Sequence, residues 1–312
     1  MGVKMNKGIL FVLTFDVLSA AQSVWLGSLL QGINVYNVLF INFSIITIIF
    51  AILNYFHRDN QAVLNLRNVM YFLILNAATL GSWLFLYISL RYMEPALTAA
   101  TLYGINPLAT LIVSVVLLKQ MKNLTAVKLL VSVFTIICML LVGYTVSEGH
   151  SGLTNVEHRQ LIHGFMMAIL TGFCMAIINV VSKKIYDNGF NLYQLMSMRF
   201  FLLLIVSFYL SKDLTVDFNT YLTEFMIIAI FGNVIPLFML QKGIALVPPV
   251  QVSYILLLTP LFVFVFQIFD SRLKLSIYSL IAIISVIIIS FIGLKIEKNQ
   301  EEKVKQQLQQ EE

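Results

Sequence analysis

The sequence predicts an all-α integral membrane protein: ten transmembrane helices arranged as two inverted five-helix repeats. Three observations predict it. Of 312 residues, 59% are hydrophobic and only 11% are charged, mean hydropathy is +0.90, and soluble domains carry about 25% charge. The apolar residues fall in ten runs of bilayer length, separated by short polar gaps. The chain also repeats itself. Pro95 and Pro107 are twelve residues apart, as are Pro248 and Pro260, and Gly32-Ile33-Asn34-Val35-Tyr36-Asn37 is echoed by Gly189-Phe190-Asn191-Leu192-Tyr193-Gln194.

Taken in order, the first run, 8–30, follows Lys4 and Lys7 and encloses Asp16. Ser19-Ala20-Ala21 imitates a signal-peptide cleavage site, but Asp16 and the apolar continuation through Val24-Trp25-Leu26 favour a retained span. The second, 34–55, opens on the echoed motif. The third, 69–90, carries Asn76, Trp83 and Tyr87, and the fourth, 96–118, carries Tyr103, Gly104, Asn106 and Pro107. The fifth, 125–145, completes the first repeat, 1–150. The longest gap, Val146 to Gln160, holds Gly149, Gly152 and several charges and joins the halves. The second repeat, 151–295, places spans at 161–185, 190–210, 222–241, 246–269 and 274–295, and residues 296–312 form a charged, glutamine-rich cytoplasmic tail. Cys138 and Cys174 fall inside apolar runs and read as buried free thiols.

Positive charge sets the orientation. With a cytoplasmic N-terminus, fourteen of the 20 Lys and Arg lie in cytoplasmic segments, five lie outside, and Arg199 lies within a span. Both termini are therefore expected in the cytoplasm. The net charge of +5 resides in these gaps, which excludes nucleic acid as a partner. Five spans per half is an odd number, so the second copy enters the membrane upside down. An inverted pair offers two near-equivalent packings, one open to each side.

Several residues are out of place in a bilayer. Pro107 and Pro260 predict matched breaks in spans four and nine. Proline removes a backbone donor, and such breaks are tolerated where protein or water surrounds them; the plainer alternative is a kink. Asp16 and Arg199 are the charges set well within spans, each roughly 12–14 Å deep at about 1.5 Å per residue. They either share a cavity, with Asp16 exchanging a proton, or form a structural ion pair. Candidate cavity residues are Gln22 and its repeat mate Asn179, Asn76, Trp83, Tyr87, Tyr103, Asn106, Pro107, Gln251, Tyr254 and Pro260. Asn42 (the mate of Arg199) and Asn233 are polar in the same way. Polar side chains in bundles also simply join helices, and aromatic ones simply pack. The aromatic candidates suit an organic cation or an aromatic metabolite. The four histidines show no metal-ligand spacing, and no metal or cofactor is expected. No phosphate-binding loop and no H-E-x-x-H or G-x-S-x-G motif occurs, so neither ATP drive nor enzyme chemistry is expected.

Tyr87 to Pro107 (YISLRYMEPALTAATLYGINP) and Gly243 to Pro260 (GIALVPPVQVSYILLLTP) resemble the third-to-fourth-helix signature of the drug/metabolite transporter superfamily, EamA type, and its copy. The resemblance covers the whole chain. Arg199 matches a basic residue common in the second helix of a half, where the first half has Asn42. The glutamate usual after each fourth helix is replaced by Lys119-Gln120 and Asp270-Ser271. The resemblance implies a ten-helix carrier with a central cavity. With the inverted repeat and the charge bias, the chain reads as a plasma-membrane secondary transporter that moves a small organic metabolite (amino acid, amine or drug-like solute) by alternating access, as an exporter driven by a proton or substrate gradient. An importer, a nucleotide-sugar carrier or a lipid-linked flippase shares the fold. The expected partners are the small-molecule substrate and the lipid bilayer, and a homodimer is compatible with the sequence.

Overall fold

The computed structural model describes residues 7–57, 65–118, 156–211 and 218–273, with scattered positions between 134 and 153 and between 277 and 292. Among the described residues the chain is helical and contains no strand. The elements are α1 (Lys7–Gly32), α2 (Val35–Phe56), α3 (Leu66–Tyr92), α4 (Pro95–Leu118), α5 (His158–Asp187), α6 (Leu192–Met198), α7 (Phe201–Leu210), α8 (Phe218–Ile227), a π-helical segment (Ile228–Val234), α9 (Ile235–Leu246), α10 (Pro249–Leu256) and α11 (Thr259–Gln267). Eight stretches among them are long and apolar enough to cross a bilayer. They correspond to expected spans one to four and six to nine. Spans five and ten fall largely outside the described residues, as does Cys138; Cys174 is partly exposed rather than buried.

The echoed motif proves to be a helix stop joined to a helix start. Gly189 takes φ 89°, a conformation that a side chain disfavours, and ends α5. Asn191 then caps α6, its side chain accepting from the Gln194 N–H at 2.8 Å. In the first half Asn34 accepts from the Tyr36 N–H at 2.9 Å and caps α2. Pro95 and Pro249 each open a helix, where a missing N–H needs no partner.

The expected matched breaks are not matched. α4 runs unbroken through Pro107, so that proline sits inside a continuous helix. Span nine does break, at Leu257 and Leu258, and Pro260 lies in the first turn of α11, which tolerates it. Two further irregularities lie in the second half. Span seven breaks at Arg199 and Phe200, between α6 and α7, and span eight contains the π segment.

Two apolar cores hold the bundle, each mixing both halves. One gathers α1, α4, α9 and α10 around Val12, Ala100, Ile244 and Ile255. The other gathers α2, α3, α6 and the π segment around Phe43, Leu75, Leu195 and Ile228. Glycines permit the closest approaches: a Cβ on Gly172 of α5 would strike Ile105 and the Leu102 carbonyl of α4. On the outer surface Phe56, Tyr209 and Phe269 are 73%, 80% and 83% exposed, as lipid-facing side chains near span ends should be.

Candidate functional site

α1, α3, α4, α5, the Arg199 break and span eight line a central cavity of about 50 Å³. That is room for a few water molecules, well below the roughly 300–1,000 Å³ usual for small-molecule sites. The cavity extends from Arg199 and Asn179 in mid-bundle to Leu90 and Pro95, where α3 hands over to α4. Phe15, Trp83 and Tyr103 give it an aromatic wall, and Ser19, Ser23, Ser82 and Thr98 put hydroxyls on it. Among the described residues Arg199 carries the only formal charge on that wall.

The positions of these side chains follow from the irregular backbone. Arg199 ends α6 at the break in span seven. Asn76 of α3 closes that break, donating to the Met198 carbonyl at 2.8 Å and accepting from the Leu202 N–H at 3.2 Å. The freed groups of a broken span must be satisfied inside the protein, and here one carboxamide does it. In span eight Asn233 donates to the Ile228 carbonyl at 3.0 Å, five residues back. Its oxygen accepts from Gln22 of α1 at 2.9 Å, which fixes Gln22 at the cavity wall.

Arg199 is 2% exposed. Its Nη1 lies 3.7 Å from the Met196 sulfur, the guanidinium stands 5.1 Å from the centre of the Phe200 ring, and Nε has no hydrogen-bond partner. Asn179 is 1% exposed, and its Nδ2 is likewise unpartnered.

Asp16 does not pair with Arg199. Its Oδ1 accepts from the Thr259 hydroxyl at 2.6 Å, and its Oδ2 has no partner. The carboxyl thus sits at the N-terminus of α11, where the helix dipole favours an anion, and it anchors the second piece of broken span nine. Asp16 is absent from the cavity wall, but Tyr103, which is on the wall, interacts with Asp16, Thr259 and Ser19.

Of the residues expected to line a cavity, Gln22, Trp83, Tyr103 and Asn179 do so, together with Arg199. The others do not. Asn76 closes the span-seven break, Tyr87 lies behind Trp83 with its hydroxyl 3.4 Å from Asn42 Nδ2, and Asn106 accepts from Thr110 on its own helix at 2.9 Å. Tyr254 is core, and Pro107, Gln251 and Pro260 are off the wall.

The sequence reading missed two features. Tyr186 donates to Gln241 at 2.8 Å, interacts electrostatically with Arg199 and lines a second recess of about 570 Å³. That recess is lined by Phe11, Tyr193, Phe238 and Lys242. At the opposite end Glu94, fully buried before Pro95, accepts from Gln267 at 3.1 Å and from Ser279, while Gln267 accepts from the Ala96 N–H at 3.0 Å. A charge lying in a turn between two spans gives no sign in sequence that it will be buried.

The model of the EamA-like transporter family matches residues 6–144 and again 162–294. No curated protein matches. A solved structure titled "Crystal structure of protein" is similar at 12% identity with a TM-score of 0.65, covering 92% of this chain and 98% of its own. That likeness concerns the fold alone.

Proposed function

Because the chain belongs to the EamA-like transporter family and is thus a multi-pass membrane transporter, we propose that it moves a small organic metabolite by alternating access and acts as an exporter. The observation that carries this is a central cavity walled by side chains from both halves, the arrangement in which rocking one half against the other exposes a fixed site to each side. Among the described residues the wall holds a single cation, which disfavours cargo bearing a pyrophosphate, as a nucleotide sugar or lipid-linked sugar would. The positive-inside bias supports a plasma-membrane orientation with both termini in the cytoplasm.

Proton coupling through Asp16 completes the reading. Its carboxyl holds α11 through Thr259, and Tyr103 connects it to the cavity wall. A change of charge there bears on both a helix anchor and the site. Asp16→Asn keeps an oxygen to accept from Thr259 but cannot titrate. Metabolite profiling of cells and medium should show one compound class enriched in the medium with wild type. In vesicles, an imposed proton gradient should stimulate its transport by wild type and not by Asp16→Asn. No compound that differs between wild-type and empty-vector cells would sink the transport reading. Equal stimulation of the two proteins would end the role of Asp16 alone.

A further inference from the structure

We propose that the central cavity is a carboxylate site: Arg199 and Asn179 receive the carboxylate of a small organic acid, and Trp83 and Phe15 receive its apolar or aromatic body. The proposal rests on the transporter reading and names its substrate class.

Two independent orphans point the same way. Arg199 and Asn179 come from different elements, α6 and α5, yet both line this cavity. Both are almost wholly buried, and each keeps an unpartnered donor, Nε of Arg199 and Nδ2 of Asn179. A buried donor without an acceptor is costly, and a buried cation more so. The neighbours of Arg199 include a thioether, a ring face and the Tyr186 phenol, a set that contains no carboxylate. Among the described residues no Asp or Glu lines the cavity, so what the wall lacks is an anion that accepts hydrogen bonds. A carboxylate suits a guanidinium in both charge and planar geometry.

The rest of the wall describes the body of the ligand. Aromatic and aliphatic side chains outnumber the hydroxyls, and those hydroxyls lie along α1, α3 and α4, away from Arg199 in sequence and element. A ligand with a charged head and an apolar body therefore matches this wall better than an inorganic anion, and the cavity of about 50 Å³ must widen to admit it. The organic cation that the aromatic residues alone suggest meets a like charge at the floor of the cavity, which argues against it.

The chain has two tryptophans, and Trp25 faces outward while Trp83 lines the cavity. Trp25→Phe thus leaves a single emitter in the site. In this purified background, phenylacetate should change Trp83 emission saturably. Phenylacetamide and phenethylamine, of nearly the same shape, should bind at least about tenfold more weakly. Arg199→Gln should weaken phenylacetate about 10- to 100-fold, Arg199→Lys less, and Asn179→Leu about 3- to 10-fold. Asn179→Leu introduces no buried charge and keeps the test open if Arg199→Gln fails to fold. Phenethylamine binding as well as phenylacetate, or wild-type affinity in Arg199→Gln, would overturn the proposal. So would inorganic phosphate displacing phenylacetate at equal concentration, which would make the site one for phosphorylated cargo. Silence toward all four probes would also overturn it. If profiling meanwhile shows a neutral or basic compound exported, transport stands and the carboxylate site falls by itself.

Discussion

Asn76 and Asn233 are 157 residues apart, the same offset that separates the two copies of the Gly-x-Asn-x-Tyr echo. Each carboxamide reaches across to the other half. Asn76 bonds the backbone of span seven, and Asn233 holds Gln22 of span one. Neither is a pocket residue in its own right; each keeps an irregular backbone satisfied so that a neighbour can face the cavity. Asn76→Ala leaves the Met198 carbonyl and the Leu202 N–H without their partner deep in the bundle, at roughly 1–3 kcal/mol for each unsatisfied group. Thermal unfolding in detergent should fall clearly below wild type, and phenylacetate binding should weaken with it because Arg199 loses its support. A variant as stable as wild type would mean that water or a shifted backbone satisfies the break. Gln22 and Asn179 were legible as a pair because a repeat places mates at one offset. Asn76 was legible as polar but not as structural, since its partner is a break that the sequence does not announce.

At the scale of elements, the irregularities among the described residues lie in the second half: the break at Arg199, the π segment, and the break before Thr259. The prolines predicted a symmetric pair of breaks, but what a proline does depends on its position in the helix. Pro260 falls in a first turn, whereas Pro107 is carried inside a helix packed along α5 and α11. A signal for the π segment was present and unused. Pro236 cannot donate to the Gly232 carbonyl four residues earlier, and a mid-helix π segment is one way to absorb that loss. The α4–α5 contact tests how far the packing is fixed by size. Gly172→Ala puts a methyl group against the Leu102 carbonyl and Ile105, and a carbonyl cannot rotate away as a side-chain end can. The helices must separate, at about 1–3 kcal/mol by the usual scale of overpacking. A lower unfolding temperature for Gly172→Ala, beside a neutral result for Gly32→Ala in open space, is the expected pair of outcomes.

For the whole molecule, lipid explains both what was legible and what was not. Run lengths, the repeat and the charge bias survive in sequence because a bilayer imposes them on every span. Which face of a span turns inward does not survive, because lipid is as apolar as the core and the alternation that marks a buried face disappears. Tyr254 and Trp83 read alike in sequence, yet one is core and the other cavity wall. The cavity region also has two unequal ends. Toward the α3–α4 turn the cavity reaches Pro95, beside the Glu94–Gln267 clasp. Toward the α5–α6 turn the Tyr186–Gln241 bond stands before the second recess. Alternating access requires one partition to open as the other closes, so weakening one should shift the balance in its direction. Tyr186→Phe keeps the ring and removes the donor to Gln241, whose Nε2 is already unpartnered. Losing one such bond favours the recess-open form by about fivefold. Ser82 lines the cavity, so Ser82→Cys in a chain without Cys138 and Cys174 reports that shift through a membrane-impermeant maleimide. Labelling from the recess side, read in inside-out vesicles, should rise about fivefold in Tyr186→Phe, and labelling from the other side should fall. An unchanged ratio would mean that Tyr186 and Gln241 merely join two helices, and the moving partition would then have to be sought nearer Phe11 and Lys242.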